Sequence, residues 1–223
     1  MNNKKKRLLI NILVICLYFI WPYFLGNITD LLKLPEVPYL YVSFSANFIF
    51  LFVIIYIYRD VLKNYIKKFK HNLKENLLNS LKIFVIGLGA FFVCNALLYN
   101  IGVPENNNTV SIVNIFKQIP FMFVLNALFY YPIIEEIVFK MSLKKIVTNK
   151  WEFIIITGFL NAFFQIVFSM NNMTDLIYII SYTIIISTFS YIYYKTDNIM
   201  YPIIFRICYN LIPCITYLLE TFY

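Results

Sequence analysis

A chain of 223 residues that is 61% hydrophobic and only 13% charged cannot clothe a water-facing globule, because soluble domains run at roughly 45–50% apolar and about 25% charged. Composition therefore excludes an ordinary soluble domain and makes lipid the solvent. The formal charge of +8 does not point to nucleic acid: the Lys and Arg residues stand between apolar runs, as topology signals do, and not along one solvated face.

Seven apolar runs, at 8–26, 39–58, 82–101, 119–140, 152–170, 176–194 and 199–219, each approach the roughly 20 residues that a helix needs to cross the hydrocarbon core. They predict an all-α fold, a polytopic membrane bundle. The first run follows Lys4, Lys5, Lys6 and Arg7 like a signal sequence, yet Tyr23, Phe24 and Leu25 stand where small residues would be needed for cleavage. It reads as an uncleaved anchor.

Between the second and third runs, Leu62, Tyr65, Ile66, Phe69, Leu73 and Leu77 recur every three or four residues, with Lys63, Lys67, Lys70 and Lys74 on the other side. The spacing predicts an amphipathic basic helix over 59–81, lying on the inner membrane surface. A water-facing extension of the preceding helix is the alternative.

Of the 19 Lys and Arg residues, only Lys33 and Lys117 fall outside when the N-terminus is placed in the cytoplasm, and Lys140 and Arg206 fall within the membrane zone. That bias predicts a cell-membrane protein with a cytoplasmic N-terminus and an external C-terminus. Cys16, Cys94, Cys208 and Cys214 all lie in apolar runs without a CxxC pair, which indicates neither zinc nor a disulfide framework. The sole histidine, His71, belongs to the basic segment.

Ionisable groups inside a bilayer are costly and mark functional candidates. Counting about 1.5 Å per residue, Glu135 in the fourth run lies roughly 13 Å from the inner surface. Asn161 and Gln165 in the fifth run, and Arg206 and Asn210 in the seventh, come to similar depth. Spacing by four puts each of these pairs on one helix face. Adjacent Glu135 and Glu136 point about 100° apart on an α-helix and so need different partners. Two carboxylates side by side also repel, which a purely packing role does not repay. The plain alternative is a buried polar cluster that fixes helix packing, with Arg206 neutralising one glutamate.

The run Glu135–Lys140 (EEIVFK) resembles the EExxxR motif of the CPBP family, the CAAX proteases and bacteriocin-processing membrane proteins. Tyr193–Ile199 (YYKTDNI) is similar to an inter-helix turn of bacterial members, and Arg206–Asn210 (RICYN) stands where the family has HxxxN. The resemblance divides the chain into membrane helices 1–117, a CPBP-like core 118–215 and a tail 216–223. It implies a glutamate-based intramembrane protease, in which a glutamate activates water and histidines of two later helices assist.

The departures are in the chemistry. The FxxxH motif is best matched by Asn161–Gln165 (NAFFQ), which lacks Phe and His, while Arg206 replaces the other His and Lys140 replaces Arg. Histidine exchanges protons near neutral pH; Gln165 cannot titrate, and Arg206 only donates. Two carboxylates and amides beside a fixed cation are also a poor metal set, so neither metal nor cofactor is expected. The reading that follows is a degenerate protease scaffold that binds a membrane protein or peptide, for example in bacteriocin immunity or envelope regulation. The alternatives are a surviving protease using Glu135 or Glu136, with Gln165 and Arg206 as oxyanion donors, and a transporter subunit.

Overall fold

The computed structural model describes residues 3–71, 73–104, 107–168, 170 and 172–222. Every regular element among them is helical, and seven helices are long and apolar enough to cross a membrane, as the seven apolar runs predicted. In chain order the helices are α1 (Asn3–Leu31), α2 (Glu36–Phe69), α3 (Leu73–Asn100), the short α4 (Asn107–Gln118), α5 (Pro120–Lys145), α6 (Lys150–Val167), α7 (Met173–Thr196) and α8 (Met200–Phe222). All but α4 are long and apolar enough to span a membrane. The chain is a multi-pass, all-helical membrane protein. α8 continues through 216–222, the predicted tail; Tyr223 lies outside the described residues.

α5 is the axis of the bundle. Its apolar window is 56% buried against 11% for α1, as expected when one helix is covered by neighbours and another faces lipid. Pro120 opens it at the first helical position, where a missing N–H costs nothing. The helix is not regular: Asn126–Tyr130 and Glu136–Met141 are π-helical turns. α1 lies against its second half through Tyr18 and Phe19 on Phe139, and Phe19 continues onto Phe164 of α6.

Small residues set the packing around α7. A Cβ on Gly158 of α6 would collide with Ser187 Oγ, and one on Gly87 of α3 would collide with Thr188. Beside the first contact, Thr157 Oγ1 donates to Ser190 Oγ at 2.8 Å. Close approach of backbones at small residues is how helices gain contact when lipid supplies no hydrophobic drive. α7 ends at Asp197, in the left-handed conformation (φ 47°) that stops a helix. Asn198 Oδ1 then accepts from the Met200 N–H at 3.0 Å and starts α8.

The segment 59–81 does not form the separate surface helix predicted for it. Its first part is the end of α2 and its last part the start of α3, with a turn at Lys70 and His71 closed by His71 N–H to Lys68 O at 3.1 Å. The end of α2 docks on the α7–α8 turn. Tyr65 and Tyr193 share a hydroxyl hydrogen bond of 2.8 Å, Asn198 Nδ2 donates to Tyr65 O at 2.9 Å, and Phe69 packs on Tyr201 with ring centroids 4.9 Å apart. The apolar stripe was real, but at Leu62, Tyr65 and Phe69 it faces protein. No Pro or Gly marks the break in sequence, so only this docking reveals it.

Candidate intramembrane site

Three spans bring their polar side chains to one place. α5 supplies Glu135, Glu136 and Lys140, α6 supplies Asn161 and Gln165, and α8 supplies Arg206. Glu135, Glu136, Lys140, Asn161 and Arg206 are buried, and Gln165 is partly so. Arg206 bridges both carboxylates: Nη2 pairs with Glu135 Oε2, and Nη1 lies 3.2 Å from Glu136 Oε1. Lys140 Nζ, one turn along α5, binds the same Glu136 oxygen at 2.5 Å. Gln165 Nε2 donates to Glu135 Oε2 at 2.8 Å and to Asn161 Oδ1 at 3.2 Å.

Two carboxylates thus meet two cations, and the cluster is formally neutral. Neutrality is what permits burial, since an unpaired ion in a low-dielectric interior costs several kcal/mol at least, roughly. The two glutamates share Arg206, and each also has a partner of its own, Gln165 for Glu135 and Lys140 for Glu136. The separate partners are those the angle between adjacent residues called for; the shared Arg206 was not expected, and a π turn begins at Glu136. Such turns occur mostly as single insertions within α-helices, frequently at functional sites.

Below the cations lies Phe189 of α7, its ring centroid 5.9 Å from Lys140 Nζ and 5.8 Å from Arg206 Cζ. The electron-rich face adds to their stabilisation. Tyr18, Tyr130 and Tyr131 are within electrostatic range of Glu135. None of these four aromatics was legible as part of the site, because the chain has 19 Tyr and 23 Phe. Only the position of Tyr130 and Tyr131, about a turn before Glu135, carried a signal.

Asn210 is not brought to the carboxylates. Its Nδ2 donates to Ala127 O at 2.7 Å. In the first π turn the Tyr131 N–H reaches back to Asn126 O, so the carbonyl of Ala127 would next be served by residue 132. That residue is Pro132, which has no N–H. Asn210 supplies the missing donor and ties α8 to α5 at the point where the proline orphans a carbonyl.

Three buried atoms of the cluster have no hydrogen-bond partner: Glu136 Oε2, Asn161 Nδ2 and Arg206 Nε. Among the described residues no group of three His, Cys, Asp or Glu side chains could hold a metal ion. Chemically the arrangement can lock helices together, and it leaves one carboxylate oxygen and two N–H groups unused. Arg206 cannot exchange a proton and acts as donor only.

Comparison with known proteins returned no match among curated proteins and none among solved structures. One family model does match, over residues 117–212: Rce1-like, described as type II CAAX prenyl endopeptidase Rce1-like. The matched segment runs from the end of α4 into α8 and contains every side chain of the cluster. Residues 117–212 of this membrane protein are therefore similar to the Rce1-like, CAAX-protease-like family.

Proposed function

We propose that this chain is a catalytically degenerate member of the CAAX-protease-like group, acting by binding a membrane protein or peptide, for example in bacteriocin immunity or envelope regulation. The observation that carries this reading is Arg206 spanning both glutamates, with Lys140 completing the charge balance. A general base must offer a lone pair to water and release the proton later. Here Glu135 Oε2 and Glu136 Oε1 already each accept two charged or amide donors. The positions that the resemblance assigns to histidine hold Gln165 and Arg206, which cannot shuttle protons. The reading places the N-terminus in the cytoplasm, as the distribution of Lys and Arg favours.

A second reading, a working glutamate-dependent endopeptidase, is favoured by three buried polar atoms of the cluster that have no partner, Glu136 Oε2, Asn161 Nδ2 and Arg206 Nε. These atoms have the polarity to hold one water. Quantitative profiling of peptide termini separates the two readings, comparing cells with the native chain, with Glu135→Ala/Glu136→Ala, and with the gene deleted. Termini unchanged across all three, together with a phenotype in the deletion, support binding. Termini that vanish in both the double variant and the deletion overturn it in favour of proteolysis.

A further inference from the structure

A cleft of about 370 Å³ runs between α3 and α7, lined by Ile83, Gly87, Ala90, Ser187, Thr188 and Tyr191 among others. Its volume is within the range of ligand sites, roughly 300–1,000 Å³. The helices touch at its floor, where Gly87 admits Thr188, and small side chains on either side leave the surface hollow. The floor is apolar although it contains hydroxyls. Thr188 Oγ1 donates to Ile184 O at 2.9 Å and Ser187 Oγ to Ile154 O at 3.3 Å, so both are turned into backbone.

The two helices run antiparallel, so Ile83 and Tyr191 lie at one end of the cleft and Ala90 at the other. The Ile83 and Tyr191 end is positively charged. Exposed Lys82 precedes Ile83 in α3. Lys150 Nζ stands 4.8 Å from the Tyr191 ring and 4.7 Å from the Trp151 ring, and those two rings are stacked at 6.3 Å. Aromatic rings with a cation beside them, at the end of an apolar trough, are the features of a membrane–water boundary.

We infer that this cleft is a site for an anionic phospholipid, with one acyl chain between α3 and α7 and the headgroup phosphate held by Lys82 and Lys150. Charge complementarity selects the occupant: an apolar helix of a partner offers neither lysine an anion, whereas a phosphate offers one to both. Each such lysine contributes enough at a membrane surface for the pair to give about a 30-fold preference over a zwitterionic lipid with the same chains.

Native mass spectrometry of the full-length protein tests this, with phosphatidylglycerol and phosphatidylcholine of identical acyl chains added in equal amounts. The expected result is a tightly retained phosphatidylglycerol. Its preference falls to near parity in Lys82→Gln/Lys150→Gln and persists in Lys63→Gln/Lys67→Gln, which removes equal charge elsewhere. Ala90→Phe, an exposed position that fills the cleft, lowers retention of both lipids. Equal retention of the two lipids by the native chain overturns the proposal. So does a loss as large in the Lys63 and Lys67 variant, which would mean a diffuse basic rim.

Discussion

Each buried polar side chain of the cluster has a partner whose loss can be measured. Arg206→Leu leaves two buried carboxylates facing Lys140 alone, and breaking a buried ion pair in this way costs about 3–5 kcal/mol. Unfolding of the purified protein in a denaturing detergent titration is expected to show a loss of that order. Glu135→Leu/Arg206→Leu, which restores neutrality with the Glu136–Lys140 pair intact, is expected to recover most of it. If the double variant is no more stable than Arg206→Leu, charge balance is not what holds the cluster. Asn210 has a different role, and its test is a cycle with Pro132. Asn210→Ala strands the Ala127 carbonyl at a cost of about 1–3 kcal/mol. In a Pro132→Ala background, where residue 132 regains an N–H, the same substitution is expected to cost less. An equal cost in both backgrounds would remove the proline from the explanation. The glutamate pair and the amides facing it were legible in the sequence because ionisable and amide groups stand out in apolar runs. The bond from Asn210 to Ala127 was not, since it depends on a π turn that no residue type announces.

The helices themselves were largely legible, and where they were not the cause is contact. α3, α5, α6, α7 and α8 each follow from an apolar run bounded by turn or polar residues, and Asn149 caps α6 by accepting from the Trp151 and Glu152 N–H groups. The helix read across 59–81 divides into the ends of α2 and α3 because Tyr65 and Phe69 find partners on the α7–α8 turn. Asn198 is the hinge of that arrangement, holding both Tyr65 O and the Met200 N–H. Asn198→Ala is expected to raise amide hydrogen exchange in residues 66–71 and 199–203 while leaving α6 protected. Uniform exchange across the chain, or none, would show that Asn198 does not join these elements. At the α6–α7 contact, Gly158→Val forces a side chain into Ser187 and is expected to cost about 1–3 kcal/mol by overpacking, read from the same detergent titration. A neutral result would mean that the two helices separate freely at that point.

At the scale of the molecule, the distribution of Lys and Arg leads to an expectation for the face of the bilayer that each loop meets. The basic loops place Lys150 on the N-terminal side and Lys33 on the opposite one. A membrane-impermeant thiol reagent applied to intact cells is expected to label Lys33→Cys and spare Lys150→Cys, in a chain whose own four cysteines are replaced by Ala or Ser. The reverse pattern would invert the topology and with it the side from which any partner reaches the cluster.

The sequence by itself determined that this is a helical membrane protein with seven apolar spans, and its motifs over 118–215 resemble the CPBP family, with a Rce1-like match over 117–212. Apolar length and the spacing of rare polar groups are local properties, written along the chain and independent of its neighbours. The tertiary structure alone decided that Arg206 takes both glutamates, that Lys140 shares Glu136, that Phe189 lies under the two cations, and that Asn210 serves a backbone carbonyl instead. Those pairings depend on π turns and on how closely α7 lets its neighbours approach. In a low-dielectric interior a charge is stabilised by whichever opposite charge packing brings within about 4 Å, and that is settled by three dimensions, not by position in the chain.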